Sequence, residues 1–236
     1  MDNNNQYMQY KQRNTELLEK IKKENEERMA NIMKKVHSYA QVSYARTNEP
    51  MDEEKFNEIF KEAKALHDSG VAGDAAAVKK ACDLLKKLNY QSPMNRQVEA
   101  YLGSTTALLG RDETNMMDRM KLAKRGLKML DRAVSMAPED IAIRTLRGHV
   151  CYNLPEMYFM RTKCAIEDFN HIISCYEKDN KCIEKGYYCQ LLYNLGKAYR
   201  LLGLQQDANA AWKKLLTVTK DPKYLELVEK AGYKPE

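Results

Sequence analysis

The side chains of this 236-residue chain best suited to chemistry are four histidines and six cysteines. His37, His67, His149 and His171 fall in separate segments, with no thiol or carboxylate at the spacing of a catalytic motif. His149 and Cys151 are two apart, which on a helix turns them to different sides. Nucleophilic catalysis needs a nucleophile oriented by a base that is itself held in place. No such set assembles, so no catalytic residue is expected. Cys82, Cys151, Cys164, Cys175, Cys182 and Cys189 contain no C-x-x-C pair, which suits free thiols in a reducing compartment. Cys175, Cys182 and Cys189 recur every seven residues with His171 close by, a conceivable zinc set. Metal sites favour tighter ligand pairs, and the polar turn Glu177–Lys181 is expected to separate Cys175 from the others. No metal and no cofactor is assigned. A phosphate-cradling G-x-x-x-x-G-K-[ST] loop is absent, since no Lys-Ser/Thr pair follows Gly70 and Gly73.

Charge offers a second kind of chemistry. Lys121, Lys124, Arg125, Lys128 and Arg132 recur at three- and four-residue steps and make one basic stripe on a helix. Such a stripe could follow a phosphate backbone or an anionic surface. Asp118 and Asp131 dilute it, and the formal charge of the chain is only +6. Binding of nucleic acid or an anionic surface is therefore the alternative, not the main expectation. Met116, Met117, Met120 and Met129, with Met157 and Met160, either fill core gaps or form an adaptable contact patch.

The elements that would position these groups are helical. With 44% hydrophobic and 31% charged residues, ten Gly and six Pro, the composition fits a helical protein with one core and leaves little room for the turns of an all-β fold. No run approaches the ~18 apolar residues of a membrane span. Met1–Asn5 has neither the basic nor the apolar region of a secretory signal, so the expectation is a cytoplasmic protein. Residues 1–13 lack periodicity and are expected to be disordered. Residues 14–50 form a helical arm and linker, with Leu18, Ile21, Met29, Ile32, Met33 and Val36 on one face and Pro50 near the end. Charged Lys22–Arg28 interrupts that stripe, so a homodimer through this helix is possible but not favoured.

Residues 51–236 carry a repeat. Leu192, Leu195, Gly196, Tyr199, Gly203, Ala208 and Trp212 have the spacing of two antiparallel helices, small residues at the contact and large ones filling the gap. Ala81, Leu85, Leu88 and Pro93 end an earlier copy whose first helix, Ile59 to Gly70, fits only with a lengthened turn at Gly73-Asp74-Ala75. Gly103 follows Pro93 by ten residues, and Gly148 follows Pro138 by the same interval. Gly110 follows Gly103 by seven, as Gly203 follows Gly196. Gly126, Leu130 and Ala133 then form a second helix after an insert at 111–121, and Ala165 and Phe169 serve the third copy after an insert at 153–160. Tyr224–Val228 gives a short capping helix.

These residues resemble a tetratricopeptide-repeat domain of about four degenerate units, and Ala100–Ser104, Gly126–Val134 and Ile166–Phe169 resemble bacterial members without an assigned activity. The resemblance implies an all-α right-handed α-α superhelix whose first helices line a concave groove. It also implies a non-catalytic scaffold or adaptor that holds a peptide or partner helix. The groove positions carried over from the family are Gln97, Ser104, Thr145, His149, Tyr152, Asn153, Gln190, Tyr193, Lys197 and Arg200. Of these Thr145, His149, Tyr152, Asn153, Tyr193, Lys197 and Arg200 are the expected partner-binding set, with Lys197 and Arg200 as one cationic contact. The pattern of a carboxylate clamp for chaperone tails is not met, because Lys64 has no companion Asn.

Overall fold

The structure, a computed structural model, describes Glu27 and residues 51–234. The chain divides into two units, Met1–Met51 and Asp52–Glu236. The fold described is that of the second. The expectations for residues 1–13 and 14–50, including dimerisation, lie outside the described residues.

Among the described residues of this unit, ten helices follow one another: α1 (Glu53–Val71), α2 (Ala75–Gln91), α3 (Arg96–Asp112), α4 (Met116–Met136), α5 (Ile141–Asn153), α6 (Glu156–Phe159), α7 (Thr162–Lys178), α8 (Lys185–Leu201), α9 (Gln205–Val218) and α10 (Pro222–Lys230). No strand occurs among the described residues. Short polar side chains set the starts. Asp52, Asp74, Asn95, Asn115, Asp140 and Asp221 each accept a backbone N–H from the first turn of the helix they precede. Helices α1/α2, α3/α4, α5/α7 and α8/α9 form four hairpins, and each second helix also packs on the first helix of the next hairpin. Further packing of α1 on α3 and of α3 on α5 makes the stack a superhelix rather than a row of separate pairs.

The ten-residue Pro-to-Gly interval has a local cause. Ser92 (φ −135°, ψ 75°) and Ala137 (φ −140°, ψ 68°) end their helices in the same conformation. Their carbonyls then accept from Asn95 N and Asp140 N at 3.1 and 3.2 Å. Asn95 and Asp140 in turn cap Val98 N and Ile143 N. The same turn is thus built twice, and it launches α3 and α5 in the same register. Gly103 and Gly148 reach the next helix for that reason. A Cβ at Gly103 would lie 2.9 Å from the Gly126 carbonyl oxygen, and one at Gly148 would lie 3.0 Å from the Phe169 ring. Gly196 abuts Trp212 in the same way. Ala81, Ala133, Ala208 and Trp212 are fully buried, as the repeat requires.

Three sequence expectations need correction. The first repeat has no lengthened turn: α1 runs on to Val71, and only Ala72–Asp74 separate it from α2. The insert at 111–121 is not a loop, because only Glu113–Asn115 lie outside helices. Asn115 accepts from Met117 N and Asp118 N, so α4 starts early and the hairpin simply grows longer. Its small residue, Gly110, sits 3.2 Å (as a Cβ) from Ala123 N and keeps the extended arms together. Gly110 and Gly203 therefore share a spacing but not a role. Gly203 turns the chain at φ 75°, which α3 does not do at Gly110. The insert at 153–160 does interrupt the helices and carries the short α6, ended by Met160 in left-handed geometry (φ 51°).

Candidate binding groove

The first helices of three of the hairpins line a cleft of about 970 Å³. Its wall is contributed by α1, α3, α5 and Cys182-Ile183 ahead of α8. Tyr101, Leu108, Ile141, Leu146, Val150 and Ile183 give it apolar surface, while His67, Ser104, Thr145, His149 and Asn153 add polar groups. A cleft of mixed lining at this size falls within the range of ligand pockets.

The two histidines in it are fixed from behind. Asp68 can only accept, so His67 Nδ1 carries the proton it donates (3.1 Å) and Nε2 accepts from the Ser104 hydroxyl (2.8 Å). The pair ties α1 to α3. Burial lowers the His67 pKa against the opposing pull of Asp68. His149 Nε2 pairs with the Tyr187 hydroxyl at 2.9 Å and joins α5 to α8, and burial again lowers its pKa. The order Asp68, His67, Ser104 is that of a nucleophile relay. Ser104 is nevertheless only 4% exposed, and the N–H groups at its level belong to the interior ladder of α3. The arrangement is a polar pin between helices. It was invisible in sequence because Ser104 lies 37 residues from His67.

A second, smaller cleft of about 570 Å³ is lined by Tyr152, Asn153, Lys197, Arg200, Leu201 and Ala231. The expected partner-binding set therefore divides. Thr145 and His149 line the large cleft, Tyr152, Lys197 and Arg200 line the small one, and Asn153 lines both. Lys197 and Arg200 are exposed, and each lies over an aromatic ring, Tyr193 at 5.7 Å and Trp212 at 5.9 Å. Tyr193 serves as the support for Lys197. Tyr152 is half-buried against Phe169. Tyr199, a structural position, accepts from Asn170. Gln97 and Gln190 line neither cleft: Gln97 donates to Asp140 at 2.8 Å, and Gln190 donates to Asn194 at 3.0 Å.

Outside both cleft linings, carboxylates are buried against arginines. Asp168, with no exposed surface, accepts from Arg144 at 2.9 Å and twice from Arg147 at 2.7 and 2.8 Å. Glu99, equally buried, is held by Arg96 at 2.7 Å and by Arg132. The stripe Lys121–Arg132 is exposed throughout, but Lys121 pairs with Asp118 and Arg132 with Glu99. The turn after α7 folds back through Cys182 N donating to Asp179 O, and Cys175, expected to be kept apart, is near enough to help push the Cys182 thiol up. No cluster of three or more His, Cys, Asp or Glu side chains with metal-binding geometry occurs among the described residues. No helix among them is long and apolar enough to cross a membrane.

Helix pairs stacked through small residues, with first helices lining a cleft, are the architecture of tetratricopeptide-repeat (TPR) proteins. The chain is similar to TTC0263, a thermophilic TPR protein of Thermus thermophilus, at 17% identity and a TM-score of 0.50. That match covers 75% of this chain and 84% of the other. YrrB, a TPR protein with an unusual peptide-binding site, matches at 20% identity and a TM-score of 0.46, over 71% of this chain and 74% of its own. MamA matches at 20% identity and a TM-score of 0.42, over 76% and 89%. No family model and no curated protein sequence matches the chain. The fold is an all-α, TPR-like helical-repeat superhelix.

Proposed function

We propose that the protein is a non-catalytic interaction scaffold that holds a peptide or partner helix in the cleft of α1, α3 and α5. The observation that supports this reading is that Asn153 lines both clefts, so the large one on α1, α3 and α5 adjoins the small one on α5 and α8. Apolar groups along the large cleft would take the partner's side chains, and the polar groups among them would take its backbone. Lys197 and Arg200 would receive an acidic side chain at the far end. The rigid stack reduces the ordering cost of capture, because only the partner has to lose freedom.

Affinity capture from the native host, at low and moderate salt, tests the reading. Ala142→Trp, which fills the large cleft from a half-buried position, should abolish capture. Lys197→Ala with Arg200→Ala should weaken it roughly tenfold, the loss of one charge-assisted contact. Both proteins should melt within a degree or so of the parent. Undiminished capture by both would reject the groove. Binding that collapses with salt and follows Lys124, Arg125 and Lys128 instead would favour an anionic surface or nucleic acid as the partner.

A further inference from the structure

We propose that Cys151 and Cys164 form a redox-sensitive dithiol, in which a hydroperoxide modifies Cys164 first and Cys151 then closes a disulfide. Helices α5 and α7 are antiparallel and meet where Gly148 abuts Asp168 and Phe169. Cys151 stands three residues beyond Gly148 on α5, and Cys164 stands four residues before Asp168 on α7. The register sets the two sulfurs near each other one turn from closest approach, where each thiol shifts the titration of the other. Cys151 is fully buried, whereas Cys164 keeps partial exposure. Arg147 lies one turn before Cys151, and Arg161 three residues before Cys164. Arg161 is held by Asp131, and its buried Nε has no acceptor.

The surroundings give the two sulfurs different tasks. The hydrogen bond from Cys151, then the charges of Arg161 and Arg147, bring the Cys164 thiol down to about 6. Cys151 is pushed up by that same hydrogen bond and by burial. The accessible sulfur is therefore the readier of the two to ionise, and the buried one keeps its proton longer. The thiolate attacks one peroxide oxygen and the O–O bond breaks. The departing oxygen takes a proton and leaves as water or an alcohol, and Cys164 becomes a sulfenic acid. The Cys151 sulfur then attacks the Cys164 sulfur, the S–O bond breaks, and the hydroxyl leaves as water with the Cys151 proton. Two thiols and one hydroperoxide thus give one disulfide, water and water or alcohol. The bond would staple the α5–α7 hairpin beside its tip, which carries α6 with exposed Met157 and Met160. Because α5 also lines the large cleft, oxidation would stiffen one of its walls.

A second thiol pair serves as a control within the molecule. Cys175 and Cys182 also interact, but beside Asp179 rather than an arginine, and burial and Cys175 push the Cys182 thiol up to about 11. The folded full chain is treated with hydrogen peroxide, alkylated, digested and read by mass spectrometry. The expected product is a Cys151–Cys164 linked peptide, lighter by two hydrogens, appearing before any Cys175–Cys182 link. Cys151→Ser should stop at a Cys164 sulfenic acid that dimedone traps, and Cys164→Ser should leave Cys151 unreactive. Arg161→Gln should raise the pH of half-maximal iodoacetamide labelling at Cys164, a shift that a merely structural arginine would not produce. Oxidation of the control pair first, no linked peptide, or Cys164 labelling only at the pH of an ordinary thiol would each overturn the proposal.

Discussion

A methyl group at Gly196 would lie 2.5 Å from Cε2 of Trp212, and the indole is fully buried with its N–H donated to Tyr193 O at 3.2 Å. The ring cannot yield without breaking that bond. Gly196→Ala should therefore destabilise the last hairpin by about 2 kcal/mol, read as a lower midpoint in urea with an unchanged slope. His67 and His149 make stability depend on pH. Burial holds both below the ordinary 6.5, so as pH falls the unfolded chain takes up their protons first. Their contribution is intact above that pH and shrinks below it. Melting temperature should decline between about pH 7 and pH 5.5, and less so after His67→Gln with His149→Gln. The small contact residues Gly103, Gly148, Gly196 and Ala208 were legible in sequence because only small residues fit where helices touch. Asp168 and Glu99 were not. A charged residue is by default a surface residue, and only the three-dimensional register shows that guanidinium groups from other helices meet them.

Ala208 lies on α9 with no exposed surface, in one core cluster with Leu191, Leu192 and Leu195 of α8. Ala208→Glu would place a carboxylate there without a partner and should cost roughly 3 kcal/mol or more, measured by thermal or urea unfolding. An unchanged midpoint would mean that α8 and α9 pair in another register. The hairpin α3/α4 shows where element boundaries escape sequence reading. Residues 111–121 are mostly polar and were expected to loop, yet an Asn cap at 115 and the close approach at Gly110 let both helices continue. Polarity signals exposure, and an exposed helix is as polar as a loop. The two equal Pro-to-Gly intervals were legible because a turn of fixed dihedrals at Ser92 and Ala137 fixes chain length between packing residues.

In a stack where each hairpin touches mainly its neighbours, the end must be sealed. Tyr224 and Val228 of α10 are buried, and Tyr233 sets its ring 6.0 Å from Trp212. Truncation after Lys220 should remove about 3 to 6 kcal/mol, from two buried side chains at ~1.5–3 kcal/mol each, and expose the indole. Calorimetry would read the loss, which should be largest for the last hairpin and weaken toward α1. The cleft as a whole was legible only through the family resemblance. Its division into two basins was not, because residues close in sequence, such as Tyr152 and His149 on α5, end up lining different clefts.

The chain has one tryptophan, and it sits in the terminal hairpin, dry and capped by Tyr233. Its emission is thus a private reporter on that end of the stack, while circular dichroism at 222 nm averages every helix. Should the array unzip from its carboxyl end, the colour of the fluorescence will change while most of the helical signal still stands. The protein carries its own gauge of whether it comes apart all at once or link by link.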